Sequence, residues 1–328
     1  MKKVFFFLSA CFVLAAGCSK KDSAGGISKS GILKDKIKIV TTVYPVYEWT
    51  KAVAGDAADV ELLIKGGVDL HNFTPSAKDI IKVTGKDTDL FIYVGGESDF
   101  WIEKLQDKMK ANGVASLNLM QVKNSGLIAE EEHDHEHEHE EVEFDEHVWM
   151  SVMLASEFVD CICEKMCEVD CENAERVDLY RKNAADYKNK LKELDWEFAS
   201  VTDKFTLYET AEQMRDKTVI VADRNPFVYL AKDYDLNIVA AFHGCSAETE
   251  ASFETIMRLA HEADEHNVKA IVITETGNDK IAKTVIENCQ NKDLKIVTLN
   301  AMQGQMKDGD SYCDIMSRNV KTLSGLLP

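Results

Sequence analysis

An α/β protein in two lobes is predicted by three observations. Eight short β-rich runs recur along the chain, longer helical or loop segments separate them, and one unbroken apolar stripe divides the first four runs from the last four. The first four are IKIVTTV (37–43), VELLIK (60–65), DLFIYVG (89–95) and ASLNLM (115–120). The second four are TVIVAD (218–223), LNIVAAF (236–242), KAIVIT (269–274) and KIVTLN (295–300). Branched and aromatic residues suit a pleated strand, and strands that alternate with helices imply parallel sheets covered by those helices. The stripe consists of Val177, Tyr180, Ala184, Tyr187, Leu191, Leu194, Phe198 and Val201, with no glycine or proline among them. Steps of three and four keep it on one helix face for about 36 Å at 1.5 Å per residue. Such a helix is a stiff connector lying along both lobes, so a site between the lobes is expected to open and close only slightly. A last helix is expected over SYCDIMSRNVKTLSGLL, 311–327.

Before the first strand, residues 1–17 combine Lys2 and Lys3 with a short apolar core. They read as a secretory signal, too short to count as a spanning helix. Leu14-Ala15-Ala16-Gly17-Cys18 resembles a bacterial lipobox, in which cleavage leaves Cys18 carrying lipid. The expected order is then a lipoprotein signal peptide (1–17), a flexible tether (18–36), an N-terminal lobe (37–151), a leading helix (152–171), the long connecting helix (172–203) and a C-terminal lobe (204–328). Cys18 would anchor the chain at the extracytoplasmic face of the cell membrane, and no second apolar run is long enough to span a bilayer.

The formal charge is −19, and loss of residues 1–17, with two lysines and no acid, makes it −21. Eleven carboxylates lie within 130–146, and this concentration argues against nucleic acid and for the attraction of cations. His133, His135, His137 and His139 alternate with acids there, in a stretch with no apolar residue from which to build a core. Imidazole with carboxylate is a ligand set for a divalent transition metal, zinc above all, and the loop reads as a loose, multi-site auxiliary binder. His147 differs, because Val148, Trp149 and Met150 follow it and can fix its ring in a folded wall. Seven cysteines remain once Cys11 and Cys18 are set aside, an odd number that closes no disulfide set. Cys163, Cys167 and Cys171 are four apart and would share a helix face, where burial is a commoner fate for cysteine than metal binding.

GGVDLHNFTPSAKDI (66–80), FIYVGGESDFWIEKL (91–105), DEHVWMS (145–151), NAADYKNKLKELDWEF (183–198) and AAFHGCSAETEASFETI (240–256) resemble, in order, the zinc/manganese solute-binding lipoproteins of bacterial ABC importers. The resemblance implies two (β/α)4-type lobes joined by one long rigid helix, with Zn2+ as cargo between them, Mn2+ being the other possibility. It also implies an ABC permease as partner, a monomer, no catalysis, and a His-rich loop ahead of the second histidine motif. Carried over by position, His71 and His147 match the family's first two ligands, and Glu275 matches an acidic residue that binds or supports the metal. Asp279 is held in reserve.

At the usual third-ligand position this chain has Arg224, whose guanidinium has no lone pair to offer a metal. Three readings stay open: Arg224 pairs with a site carboxylate such as Glu275, Asp223 or His243 supplies the missing group, or the cargo is a metal with an anionic chelator that Arg224 grips. His261 and His266 are expected to face solvent on a helix. A surface adhesin and a zinc hydrolase are the remaining functional alternatives. Against the hydrolase, the chain has no GxSxG or phosphate loop, and the HExxH pattern occurs only inside the acidic alternation, at His135, Glu136 and His139.

Overall fold

Two parallel four-stranded sheets, ordered β2-β1-β3-β4 and β6-β5-β7-β8, form the frame of the computed structural model. It describes residues 35–66, 68, 70–122, 126–129, 144–204, 216–244, 250–304, 306 and 309–327. Cys18, the signal segment, Cys245 and His133, His135, His137 and His139 of the acidic loop lie outside the described residues.

The first sheet comprises β1 (Lys38–Thr41), β2 (Asp59–Leu62), β3 (Leu90–Tyr93) and β4 (Ala115–Asn118). Helices α1 (Tyr44–Ala54), α2 (Ala77–Thr84), α3 (Gln106–Asn112) and α4 (Leu119–Val122) alternate with these strands. After α5 (Val152–Val169) and α6 (Ala174–Val201), the second sheet follows as β5 (Thr218–Arg224), β6 (Asn237–Phe242), β7 (Ala270–Thr274) and β8 (Lys295–Leu299). Its helices are α7 (Val228–Tyr234), α8 (Phe253–Glu265), α9 (Lys280–Asn288) and α10 (Tyr312–Leu326). All eight expected strands form. In each sheet the first strand lies between the second and the third, so the chain leaves in opposite directions from neighbouring strand ends. In open α/β sheets the resulting crevice is where ligands bind.

The apolar stripe of α6 is buried from Val177 through Phe198. Its last step differs from expectation: Ala199 is buried, and Val201 is only partly so, because the helix ends there and Thr202 takes the cap. Asn173 caps the start by accepting from the Arg176 N–H at 3.0 Å. The Arg176 guanidinium grips the buried Asp170 through two bonds of 2.5 and 2.6 Å, which fixes the turn from α5 into α6.

Residues from both lobes and from α1, α5, α6 and α10 make one hydrophobic cluster. Alternation along β5 shows how the second lobe is built. Val219 and Val221 point into that shared cluster, whereas Ile220 and Ala222 point into a second one made with α8 and α9. The second sheet is thus covered on both faces, one by its own helices and one by the centre of the molecule. Burying each such valine or isoleucine stabilises the fold by about 1.5–3 kcal/mol.

All six described cysteines are free thiols. Cys163 is buried, Cys167 is half-buried and Cys171 is exposed beyond the end of α5. Among the described residues no helix is long and apolar enough to cross a membrane.

Candidate metal centre

His71 lies in a single 3-10 turn, Leu70–Asn72, on the connection that follows β2, and His147 opens another, Val148–Met150, just ahead of α5. The two rings meet with centroids 5.3 Å apart. His147 is fully buried, with the edge of Trp149 against it at 5.3 Å. From the second lobe, the backbone after β6 closes over it. A Cβ on Gly244 would sit 3.2 Å from His147 Cε1 and 2.9 Å from Asp145 Oδ2, so glycine permits this approach.

Each imidazole has its own carboxylate. His147 Nδ1 lies 3.0 Å from Asp145 Oδ1, which also accepts the His147 backbone N–H at 2.8 Å. His71 Nδ1 lies 3.0 Å from Glu146 Oε1. Glu146 is held in turn by Ser98, whose hydroxyl donates to Oε1 and whose backbone N–H donates to Oε2 at 3.0 Å. A carboxylate can only accept, so both rings carry their proton on Nδ1 and keep a lone pair on Nε2. Burial alone would raise both carboxyls, yet the neighbouring histidines outweigh it and hold Asp145 and Glu146 below the usual carboxylate range. This is the arrangement by which outer carboxylates orient metal-binding imidazoles.

The two Nε2 atoms converge on one point, the side-chain amide nitrogen of Gln303, which lies 3.1 Å from His71 Nε2 and 2.8 Å from His147 Nε2. The amide donates to the same lone pairs that a metal would take. Gln303 lies in the turn after β8, and Glu275 shapes that turn. Its carboxylate accepts the backbone N–H groups of Ala301 at 2.7 Å, Gln303 at 2.7 Å and Gly304 at 2.9 Å. A Cβ on Gly304 would meet Glu275 Cγ at 3.2 Å, so the close wrap of the turn relies on glycine.

His71 and His147 are therefore brought together, and Glu275 reaches the centre through the turn it organises. Asp223 is occupied elsewhere: its Oδ2 accepts from the Thr274 N–H at 3.2 Å and the Thr274 hydroxyl at 2.5 Å, joining the ends of β5 and β7. Arg224 is the last residue of β5 and is half-buried. Asp279 pairs with Lys283 at 2.6 Å, and His243 is exposed. His261 faces solvent, but His266 does not do so freely, because its Nδ1 is drawn to 2.6 Å from Asp216 and that bond raises its pKa. Among the described residues no three His, Cys, Asp or Glu side chains gather in a metal-holding group. The residues that the sequence reading missed are Gln303, a neutral amide in a loop, and Asp145 and Glu146, read there as part of an acidic surface. Adjacency to His147 was the available signal for that pair.

Tyr229 donates its hydroxyl to the Asp145 carbonyl at 2.6 Å, and Trp149 Nε1 donates to the Ala301 carbonyl at 2.8 Å. Tyr312 donates to the Trp149 carbonyl at 2.8 Å. These bonds link the histidine wall of the first lobe to α7, to the Gln303 turn and to α10.

Residues 39–325 match the model of the family described as ZnuA, zinc-uptake complex component A, periplasmic. The high-affinity zinc uptake system protein ZnuA of Bacillus subtilis (strain 168) is 34% identical over 326 residues, covering 98% of this chain and 96% of that protein. The structure of the metal-dependent lipoprotein YcdH from Bacillus subtilis superposes with a TM-score of 0.70 at 31% identity, over 89% of this chain and 99% of that one. Zn(II)-bound AdcA from Streptococcus pneumoniae gives 0.69 at 30% identity over 88% of this chain, which spans only 57% of that longer protein. A match over nearly the whole described fold, together with a relative 34% identical along almost its full length, places the chain in the ZnuA family of zinc-uptake components.

Proposed function

We propose that this protein captures Zn2+ between its lobes and passes it to an ABC permease, held at the extracytoplasmic face of the membrane by a lipid on Cys18. The observation that carries the reading is the convergence of two lone-pair nitrogens, His71 Nε2 and His147 Nε2, on one point already occupied by a polar atom of Gln303. Zinc would take that point. Turning the Gln303 amide over exchanges its N–H donor for a carbonyl oxygen, which makes a third, neutral ligand. Glu275 supports the site by holding the turn, and water completes the shell. His133, His135, His137 and His139 gather metal by loose, multivalent contact. Zinc is favoured over manganese by its higher affinity for nitrogen ligands.

The reading is one of binding without turnover. The two carboxylates nearest the imidazoles, Asp145 and Glu146, are committed to Nδ1 atoms and are not placed to activate a water. Coordination needs neutral imidazoles, so acid releases the ion.

The test is calorimetric titration of the mature chain lacking 130–143 with zinc and with manganese, repeated with His71→Ala and His147→Ala. One tight zinc site lost in both variants is expected. A site that survives both substitutions would move the cargo elsewhere in the molecule.

A further inference from the structure

The two imidazoles are aimed in different ways. His147 and its carboxylate belong to one short stretch, in which Asp145 Oδ1 meets both the ring Nδ1 and the His147 backbone N–H. His71 depends on three stretches that lie far apart in the chain. Its ring comes from the connection after β2, and its carboxylate, Glu146, from the wall ahead of α5. The residue that holds this carboxylate, Ser98, comes from the 3-10 segment Glu97–Leu105 after β3.

Glu146 is 1% exposed and meets three donors. The Ser98 N–H reaches Oε2 at 3.0 Å, the Ser98 hydroxyl reaches Oε1, and His71 Nδ1 lies 3.0 Å from Oε1. Two bonds from one residue, one to each oxygen, fix both the position of the carboxylate and the rotation of its plane. The backbone ahead of Ser98 is shaped for this contact. Gly96 has φ +86°, and a Cβ there would lie 2.8 Å from Glu146 Cβ and 3.0 Å from Oε2. Asp99, which is buried, accepts the Gly95 N–H at 3.0 Å and ties the same turn. Burial above all, with the charge of Glu146 adding to it, pushes the Asp99 carboxyl up to about 7. Glu146, with its three donors, is the carboxylate that keeps its charge in this corner.

The Ser98 hydroxyl has two acceptors within reach, because its oxygen also lies 3.3 Å from His71 Nδ1. Were it to donate to Nδ1, the ring proton would sit on Nε2, on the point where two lone pairs have to converge. The shorter contact is the one to Glu146, and a bond to a charged acceptor is the stronger. Ser98 thus gives its single proton to the carboxylate and faces Nδ1 with a lone pair, so that Nδ1 keeps its own proton and Nε2 stays free.

We propose that Ser98 is a positioning residue for metal capture, which locks Glu146 and through it the orientation and tautomer of His71. The proposal rests on the interlobe metal reading, but one of its two readouts needs no metal.

The experiment compares Ser98→Ala and Ser98→Thr with the wild-type mature chain at neutral pH. The first readout is the imidazole N–H proton resonance of His71 in the metal-free protein, assigned by its loss in His71→Ala. The second is zinc affinity measured by competition with a chelator, which reads the tight site alone. Ser317→Ala, which removes a surface hydroxyl bonded to Glu197, is the control. The N–H signal is expected in the wild type, lost to exchange with water in Ser98→Ala and regained in Ser98→Thr. Zinc affinity should fall about tenfold in Ser98→Ala, recover in Ser98→Thr and stay unchanged in the control. An N–H signal or a zinc affinity that Ser98→Ala leaves intact overturns the proposal, and so does a loss that threonine fails to restore. A wild type that binds no zinc at this centre would instead sink the metal reading, while the N–H comparison still decides whether Ser98 locks the ring.

Discussion

Glu275→Gln and Gln303→Ala together decide how the second lobe reaches the metal. The Glu275 carboxylate accepts three backbone N–H groups at 2.7, 2.7 and 2.9 Å, and hydrogen bonds to a charged acceptor contribute about 1.5–3 kcal/mol each. Glutamine keeps one acceptor oxygen but loses the charge, which roughly halves the bonds it retains. Its amide also turns a donor toward a backbone N–H, so one bond is lost outright. The turn from Ala301 to Gly304 therefore loses on the order of 3–6 kcal/mol of local order. If Glu275 acts only through the turn, Gln303 is in place for a smaller fraction of the time, and zinc affinity falls by roughly tenfold to a hundredfold. The ligand set stays the same. Cobalt(II) substituted for zinc reports that set through its visible bands, so the bands of Glu275→Gln should keep their shape while those of Gln303→Ala shift. The opposite pattern, a changed spectrum for Glu275→Gln and an unchanged one for Gln303→Ala, would make Glu275 the direct ligand and refute the reasoning.

Three further outcomes are expected. Glu146→Gln should weaken zinc binding by about tenfold to a hundredfold by loosening the His71 ring, with the metal-free melting temperature showing whether the fold itself suffered. Asp99→Asn should stabilise the protein in urea at pH 8 and have little effect near pH 4. A carboxyl raised to about 7 in the fold makes the folded state lose stability as pH rises from its unfolded value through 7, and the amide escapes that loss. At about 1.4 kcal/mol per pKa unit the gain at pH 8 is bounded at roughly 4 kcal/mol, and an equal urea midpoint at pH 8 would contradict the burial argument. Trp149→Phe leaves the Ala301 carbonyl without its donor and should cost about 1–3 kcal/mol, read from the urea midpoint.

All eight strands were legible in the sequence because branched residues and spacing are local signals that packing reinforces. His71 and His147 were legible as well, since each stands at the edge of an apolar or turn-forming motif that fixes a ring. What surrounds them was not. Asp145 and Glu146 close a run of solvated acids in the sequence, yet they are 5% and 1% exposed. Their burial follows from strands and turns brought together from far along the chain. Gln303 carries no signal of its own, because an amide acquires a role only from what faces it, and two imidazoles over 150 positions away do so here. Glu275 was placed at its strand end, but which atoms its oxygens would meet depended on how tightly the Gly304 turn could wrap. At the end of α6 the stripe predicted Val201, and the final turn buried Ala199 instead, because the helix stops there.

The cluster that unites the lobes also bears on the order in which the chain is made. Trp49 of α1 is fully buried in the first lobe, and Tyr312, at the start of the last helix, packs edge-on against it at 5.3 Å. The first helix of the described fold is therefore finished by the last. A chain emerging N-terminus first can pair the strands of its first sheet early, but it leaves the Trp49 face uncovered until α10 arrives. A product cut short before Tyr312 would show that face to solvent or to proteases, although it holds both histidines. Helix α10 thus closes the structure late: the wall that carries His147 is complete only once Tyr312 has been made.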